Sequence, residues 1–109
     1  MPTDARLARL CEMLLGRLSE TVSIAELGAQ VGLSERSVIR LFPRETGLTF
    51  GRWQQQARLQ KAFALLGEGQ SVTQVALELG YAGPSAFTKM FRRAIGDTPS
   101  ALLRAERQA

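Results

Sequence analysis

The side chains with most chemistry to offer in this chain are its guanidinium groups. Twelve of the 14 basic residues are Arg and two are Lys, set against 10 acidic residues for a net charge of +4. A guanidinium holds its N–H donors in a rigid fork that matches two phosphate oxygens, or the O6/N7 edge of guanine, in one bidentate contact. Two groups of cations stand out, Arg36, Arg40 and Arg44 in the first half and Lys89, Arg92 and Arg93 in the second. The missing residue types narrow the choice further. There is no His, which removes the commonest general base and the commonest metal ligand. The single Cys, Cys11, allows neither an internal disulfide nor a thiolate cage, so no metal or other cofactor is expected. Acyl transfer, phosphoryl transfer and metal chemistry all need converging groups, and neither a phosphate-binding glycine loop nor a suitable carboxylate pair is present. No apolar run approaches the ~18 residues of a membrane span and no signal peptide is read at the start. The expected location is the cytoplasm, in association with the nucleoid.

These cations need elements to carry them. The apolar residues keep helical spacing throughout, with no convincing strand alternation, which predicts an all-α fold. With 109 residues the chain suits one compact domain or two very small ones. Leu7, Leu10, Cys11, Leu14 and Leu18 form one stripe, a first helix over roughly 4–18 that absorbs Cys11 as a small core hydrophobe. Ser23 and Glu26 have capping-box spacing, with Val22 and Leu27 placed as a hydrophobic staple. Ile24, Leu27, Gly28 and Val31 follow as a buried face, and Gly32 supplies a left-handed stop. Ser34 caps a third helix with Val38, Leu41 and Phe42 inward, ended by Gly47. Pro43 within it removes a backbone hydrogen bond and is expected to kink the helix or end it early, straining it by up to ~3 kcal/mol. A long helix over roughly 49–66 is apolar on two sides, through Phe50, Trp53 and Ala57 and through Leu59, Ala62, Phe63 and Leu66. A helix of that kind must be covered on more than one side.

The pattern then recurs. Ser71 and Gln74 form a second capping box. Val72, Val75, Ala76, Leu79 and Gly80 repeat Ile24, Leu27, Gly28, Val31 and Gly32 at a displacement of 48 residues. Beyond the turn the displacement is 49, where Phe87, Met90, Phe91, Arg93, Gly96 and Thr98 repeat Val38, Leu41, Phe42, Arg44, Gly47 and Thr49. One residue has therefore entered the second turn, near Gly83-Pro84. A short helix, a glycine-containing turn and a second short helix is a helix-turn-helix, whose second helix presents its outer face to the DNA major groove. An ordinary helical hairpin uses similar turns. Two copies with basic residues on both second helices favour the DNA reader.

The order and spacing of several motifs resemble the DNA-binding domain of the AraC/XylS family of bacterial transcription regulators over residues 5–104. They are Gly32-Leu33-Ser34 and Leu41-Phe42, Glu45-Thr46-Gly47-Leu48-Thr49-Phe50, Arg58-Leu59, Val75-Ala76 with Gly80-Tyr81, and Phe91-Arg92, Gly96 and Thr98-Pro99. The resemblance implies seven helices in a homeodomain-like arrangement, with subdomains at about 4–47 and 71–106 joined by a linker helix at about 49–66. It implies that both recognition helices enter successive major grooves. It also implies an N-terminal effector or dimerisation domain beyond this chain, and RNA polymerase as a further partner, since many relatives are activators.

On the first recognition helix Arg36, Ile39 and Arg40 are the expected base readers. Arg40 is suited to guanine and Ile39 to a thymine methyl. Phosphate contact or plain solvation is the alternative for the two arginines. On the second, Ser85, Thr88 and Lys89 occupy the exposed face, with Lys89 equivalent to Arg40. Arg44, Arg92 and Arg93 extend the basic surface, the last two as phosphate contacts. Thr98 and Pro99 read as a helix start. Arg58 is expected to cap carbonyls and hold the subdomains, while Trp53 and Tyr81 belong to the core. Pro43, Ile39 and the pair Leu102 and Leu103 depart from the family pattern. The leucines put DNA contacts from the last helix in doubt. An enzyme is disfavoured by the missing groups. A protein-interaction module that touches the transcription machinery, with only weak DNA affinity, is the remaining rival. It calls for apolar or acidic outer faces where Arg36, Arg40 and Lys89 stand.

Overall fold

The computed structural model describes residues 3–108, apart from the side chains at 103 and 105–108. Among the described residues there are seven helices and no strand: α1 (Ala5–Leu15), α2 (Ile24–Val31), α3 (Glu35–Thr46), α4 (Phe50–Gly67), α5 (Val72–Glu78), α6 (Pro84–Ile95) and α7 (Pro99–Gln108). The chain divides between Arg58 and Leu59 into two compact units.

The first unit packs α1, α2, α3 and the opening turns of α4 around Leu7, Leu10, Cys11, Leu14, Leu27, Val38 and Phe42. The Asp4 carboxylate caps α1 by accepting the amides of Arg6 and Leu7. The helix stops at Leu15, three residues before the sequence-based limit. A turn follows, closed by Arg17 N–H to the Leu14 carbonyl at 2.9 Å and Glu20 N–H to the Arg17 carbonyl at 3.1 Å. That turn still delivers Leu18 to the interior, 8% exposed. An apolar residue in phase with a helix was thus buried by the chain reversal after it. Ser23 caps α2 through the Glu26 amide. Gly32 takes the left-handed conformation, at φ 78°, and turns the chain into α3. Here Leu33 N–H reaches back to the Gly28 carbonyl at 2.7 Å. The approach is so close that a Cβ at Gly28 would collide with the Leu33 carbonyl oxygen and press on Val38.

Of the two outcomes expected of Pro43, a kink or an early end, the early end does not occur. The helix runs on to Thr46 before Gly47 at φ 78° closes it. Pro43 is exposed, so its ring stands in solvent, and the Ile39 carbonyl goes without the amide donor that a proline cannot supply. The last turn is secured by other bonds, Thr46 Oγ1–H to the Phe42 carbonyl at 2.6 Å and Gly47 N–H to the Pro43 carbonyl at 3.0 Å.

The two apolar sides of α4 serve different cores. Phe50 and Trp53 meet the Phe42 ring edge-on at centroid distances of 5.4 and 5.8 Å in the first unit. Ala62, Leu65 and Leu66 are buried in the second, with Val75, Ala76, Leu79, Phe87 and Phe91. Leu65 was absent from the predicted face, whereas Phe63, included in it, is 48% exposed and touches Phe91 only along one side at 5.4 Å. Each fully buried Phe contributes about 1.5–3 kcal/mol by leaving water. Arg58 donates Nε–H to the Leu18 carbonyl at 2.9 Å and a terminal N–H to the Glu20 carbonyl at 3.5 Å. Its carbonyl-capping role is therefore played inside the first unit, on the α1–α2 connection.

In the second unit the Ser71–Gln74 capping box is complete in both directions, at 2.9 and 3.1 Å. Tyr81 N–H bonds the Ala76 carbonyl at 2.9 Å, repeating the Leu33–Gly28 bond. The inserted residue of this turn is consequently Ala82, between Tyr81 and Gly83. Gly83 starts α6 without a side-chain cap, and Pro84 follows in the first helical position, where no amide is needed. Thr98 Oγ accepts the Ala101 amide at 3.1 Å, so it caps α7 as expected, with Pro99 buried behind it. Leu102 packs into this core. The expectation for Leu103 falls on a side chain outside the described residues.

Candidate nucleic-acid interface

Burial of Val38 and Phe42 fixes how α3 is rolled about its axis. The opposite face then carries Arg36, Ile39, Arg40 and Arg44, all exposed. Ile39 is 54% exposed, although its neighbour Val38 is fully buried. The first turn of the helix is anchored by Ser34, whose Oγ accepts the Ser37 amide at 3.1 Å. Arg44 sits in the last turn, where the helix dipole favours a cation.

Burial of Phe87 and Phe91 sets α6 in the same way. Ser85, Lys89, Arg92 and Arg93 are exposed and Thr88 is half-buried. These five residues, with Pro84, border one open depression of about 710 Å³. Pro84 was not anticipated as part of this surface. Its signal was read only as a turn. Arg92 and Arg93 occupy the C-terminal turn of α6, as Arg44 does that of α3.

The cations on both helices make no ion pair among the described residues. The ion pairs found among the described residues are Arg6–Asp4 and Arg17–Glu20, both away from these faces. No carboxylate among the described residues neutralises Arg36, Arg40, Arg44, Lys89, Arg92 or Arg93. An unpaired, exposed guanidinium stays hydrated and exchangeable, which suits displacement of counterions from a polyanion.

Other reactive groups are spoken for. The Cys11 thiol is buried in the first core, and burial pushes its pKa up to about 11, so it stays protonated. No group of three or more His, Cys, Asp or Glu among the described residues could hold a metal ion. No helix among them is long and apolar enough to cross a membrane. Trp53 and Tyr81, both half-buried, pack edge-on against Phe42 and Phe87 at the margins of the two cores.

Glu45 was missed as a structural residue. On the last turn of α3, its carboxylate accepts the Thr3 amide at 3.2 Å, the Thr3 hydroxyl at 2.8 Å and the Asp4 amide at 3.1 Å. The Thr3 hydroxyl, the Thr3 amide and the Asp4 amide hold this carboxyl below its ordinary pKa, against opposition from desolvation and, to a lesser degree, from the Asp4 charge. A contact across 42 residues leaves no local signal in the sequence.

Comparison with known proteins places this geometry. A family profile described as a helix-turn-helix domain matches residues 27–105. The chain is 35% identical over 94 residues to the HTH-type transcriptional regulator NimR of Escherichia coli K12, which covers 86% of this chain and 34% of that protein. It is 38% identical over 98 residues to the HTH-type transcriptional activator RhaS of Escherichia fergusonii, covering 89% of this chain and 35% of the relative. The chain thus spans about a third of the length of these relatives. Among solved structures, the DNA-binding domain of AdpA, a global transcriptional factor crystallised with a target DNA, aligns over 94% of both chains at a TM-score of 0.82 and 32% identity. An AraC-type transcriptional regulator from Chromobacterium violaceum aligns over 88% of this chain at 0.79 and 25% identity.

Proposed function

Since this chain belongs to the AraC-type helix-turn-helix family, we propose that it binds double-stranded DNA sequence-specifically and serves as the DNA-reading part of a transcription regulator, more specifically an activator. In this reading α3 and α6 enter successive major grooves about one helical turn, ~34 Å, apart. The carrying observation is the recurrence of one device. The second helix of each helix-turn-helix turns a pair of buried apolar residues inward and leaves its outer cations without a carboxylate partner among the described residues.

Arg36, Ile39 and Arg40 read bases, with Arg40 on guanine and Ile39 on a thymine methyl. Ser85, Thr88 and Lys89 line the second groove more permissively, because their short or single-point polar groups discriminate less. Arg44, Arg92 and Arg93 hold phosphates. The AdpA domain, bound to DNA in its own crystal, supports this reading by its similarity to the present chain. RhaS, an activator by name, supports the activating role, and with it contact to RNA polymerase. An effector-binding or dimerisation domain N-terminal to this part completes the proposed regulator.

Selection of bound duplexes from a random pool tests the reading. The expected product is a site with two short boxes about one turn apart, bound with steep salt dependence. A single box, or salt-independent recovery of no preferred sequence, would contradict it. The latter outcome, joined to tight binding of a protein, would favour the interaction-module alternative.

A further inference from the structure

We propose that Glu45 is a coupling residue, which ties the chain entering α1 to the recognition helix α3 so that events ahead of Thr3 reach the DNA-reading element. The functional weight of this coupling rests on α3 being a recognition helix, as proposed above.

The argument starts from the end of the helix on which Glu45 sits. A carboxylate in the C-terminal turn faces the negative end of the helix dipole and is unfavourable there. Glu45 occupies that turn, one residue before the last of α3. Donors from the other end of the unit compensate it. The Thr3 amide bonds Oε2 at 3.2 Å, the Thr3 hydroxyl bonds Oε1 at 3.1 Å and Oε2 at 2.8 Å, and the Asp4 amide bonds Oε1 at 3.1 Å. Asp4 is itself the cap of α1 and accepts the Arg6 and Leu7 amides. The first turn of α1 and the last turn of α3 are therefore joined by a relay of two carboxylates and the backbone amides between them.

The α3 end of this relay is a weak turn. Pro43 deprives the Ile39 carbonyl of its helical donor. Besides the helix's own backbone bonds, the turn is held by the Thr46 hydroxyl on the Phe42 carbonyl, the Gly47 amide on the Pro43 carbonyl, and the Glu45 tether. Local opening begins where backbone bonds are few and exposed. Arg44 lies in this turn beside Glu45 and shares its fate. A pull on the segment before Thr3 removes the donors from Glu45 and loosens the turn that carries Arg44. By reciprocity, DNA that steadies α3 must steady Thr3 and Asp4.

Amide hydrogen exchange of this chain by NMR tests the coupling, using wild type, Thr3→Val and Glu45→Ala. Without DNA, both variants should speed exchange of the Gly47 amide about five- to tenfold, while Leu27 in α2 stays unchanged. Unaltered Gly47 exchange in both variants would overturn the proposal, as would equal acceleration at Leu27, which marks general destabilisation. With a duplex recovered by selection, exchange of the Thr3 and Asp4 amides should slow in wild type and not in Glu45→Ala. Retained slowing in Glu45→Ala, or none in a wild type that binds the duplex, would also overturn it. Should wild type bind no duplex at all, the recognition-helix reading fails by itself, and the DNA-free comparison still decides whether the tether exists.

Discussion

In the first helix-turn-helix the chain between α2 and α3 comes so close to Gly28 that a side chain there would strike the Leu33 carbonyl. In the second the equivalent residue is Ala76, fully buried, and the turn holds one more residue, Ala82. Both turns keep the same bond, from the residue after the left-handed glycine to the carbonyl five positions earlier. The second turn, one residue longer, accommodates a methyl group where the first admits only hydrogen. The caps differ in parallel. α3 starts on a Ser34 side-chain bond, whereas α6 starts on Gly83-Pro84 with none. One packing scheme thus tolerates two turns, provided the inward aromatic of the second helix is kept. Phe42 and Phe91 are both fully buried, each with two aromatic neighbours.

That equivalence can be broken experimentally. Phe42→Ala and Phe91→Ala should each cost about 3–5 kcal/mol in urea unfolding. A much smaller loss at either would mean that the units do not share a keystone. On the DNA side, Arg40→Ala should lower affinity for the selected site by about 1–3 kcal/mol and relax preference at one base pair. Arg93→Ala should weaken all duplexes alike and reduce the salt slope by about one ion. If Arg40→Ala weakens random DNA equally, Arg40 is a phosphate contact and not a base reader.

The turns offer a reciprocal pair. Gly28→Ala should destabilise by about 1–3 kcal/mol through overpacking. Ala76→Gly should cost only about 0.5–1 kcal/mol, the backbone entropy of a helical glycine. A neutral Gly28→Ala, read from the denaturation midpoint, would show that the first turn accommodates a methyl group as the second does.

The smallest effect concerns pH. Asp4 and Glu45 are held below their ordinary values of 3.8 and 4.5, Asp4 chiefly by the Arg6 side chain and the Leu7 amide, and Glu45 chiefly by Thr3. A depressed carboxyl stabilises the fold above its unfolded pKa, and the gain fades as pH falls through the folded value. The entrance of α1 should therefore fray below about pH 4. The α5 start, boxed by neutral Ser71 and Gln74, should not. Exchange rates at Leu7 and Val75, corrected for intrinsic acid dependence, read the difference.

Much of this was legible from residue order. The internal repeat, the left-handed glycines at 32, 47, 80 and 96, the Ser71–Gln74 box and the all-helical composition follow from local stereochemistry, because caps and periodicity act over a few residues. So does the outward aspect of Arg36, Ile39, Arg40, Ser85 and Lys89. Once Val38, Phe42, Phe87 and Phe91 are assigned inward, helical geometry leaves those side chains nowhere else to point. Tertiary structure decided the rest. It placed Leu18 in the core through a turn, let α3 continue past Pro43, seated Arg58 on the Leu18 and Glu20 carbonyls, and joined Glu45 to Thr3 and Asp4. Each depends on groups some 40 residues apart or on neighbours that only packing supplies, and no local pattern encodes such a meeting.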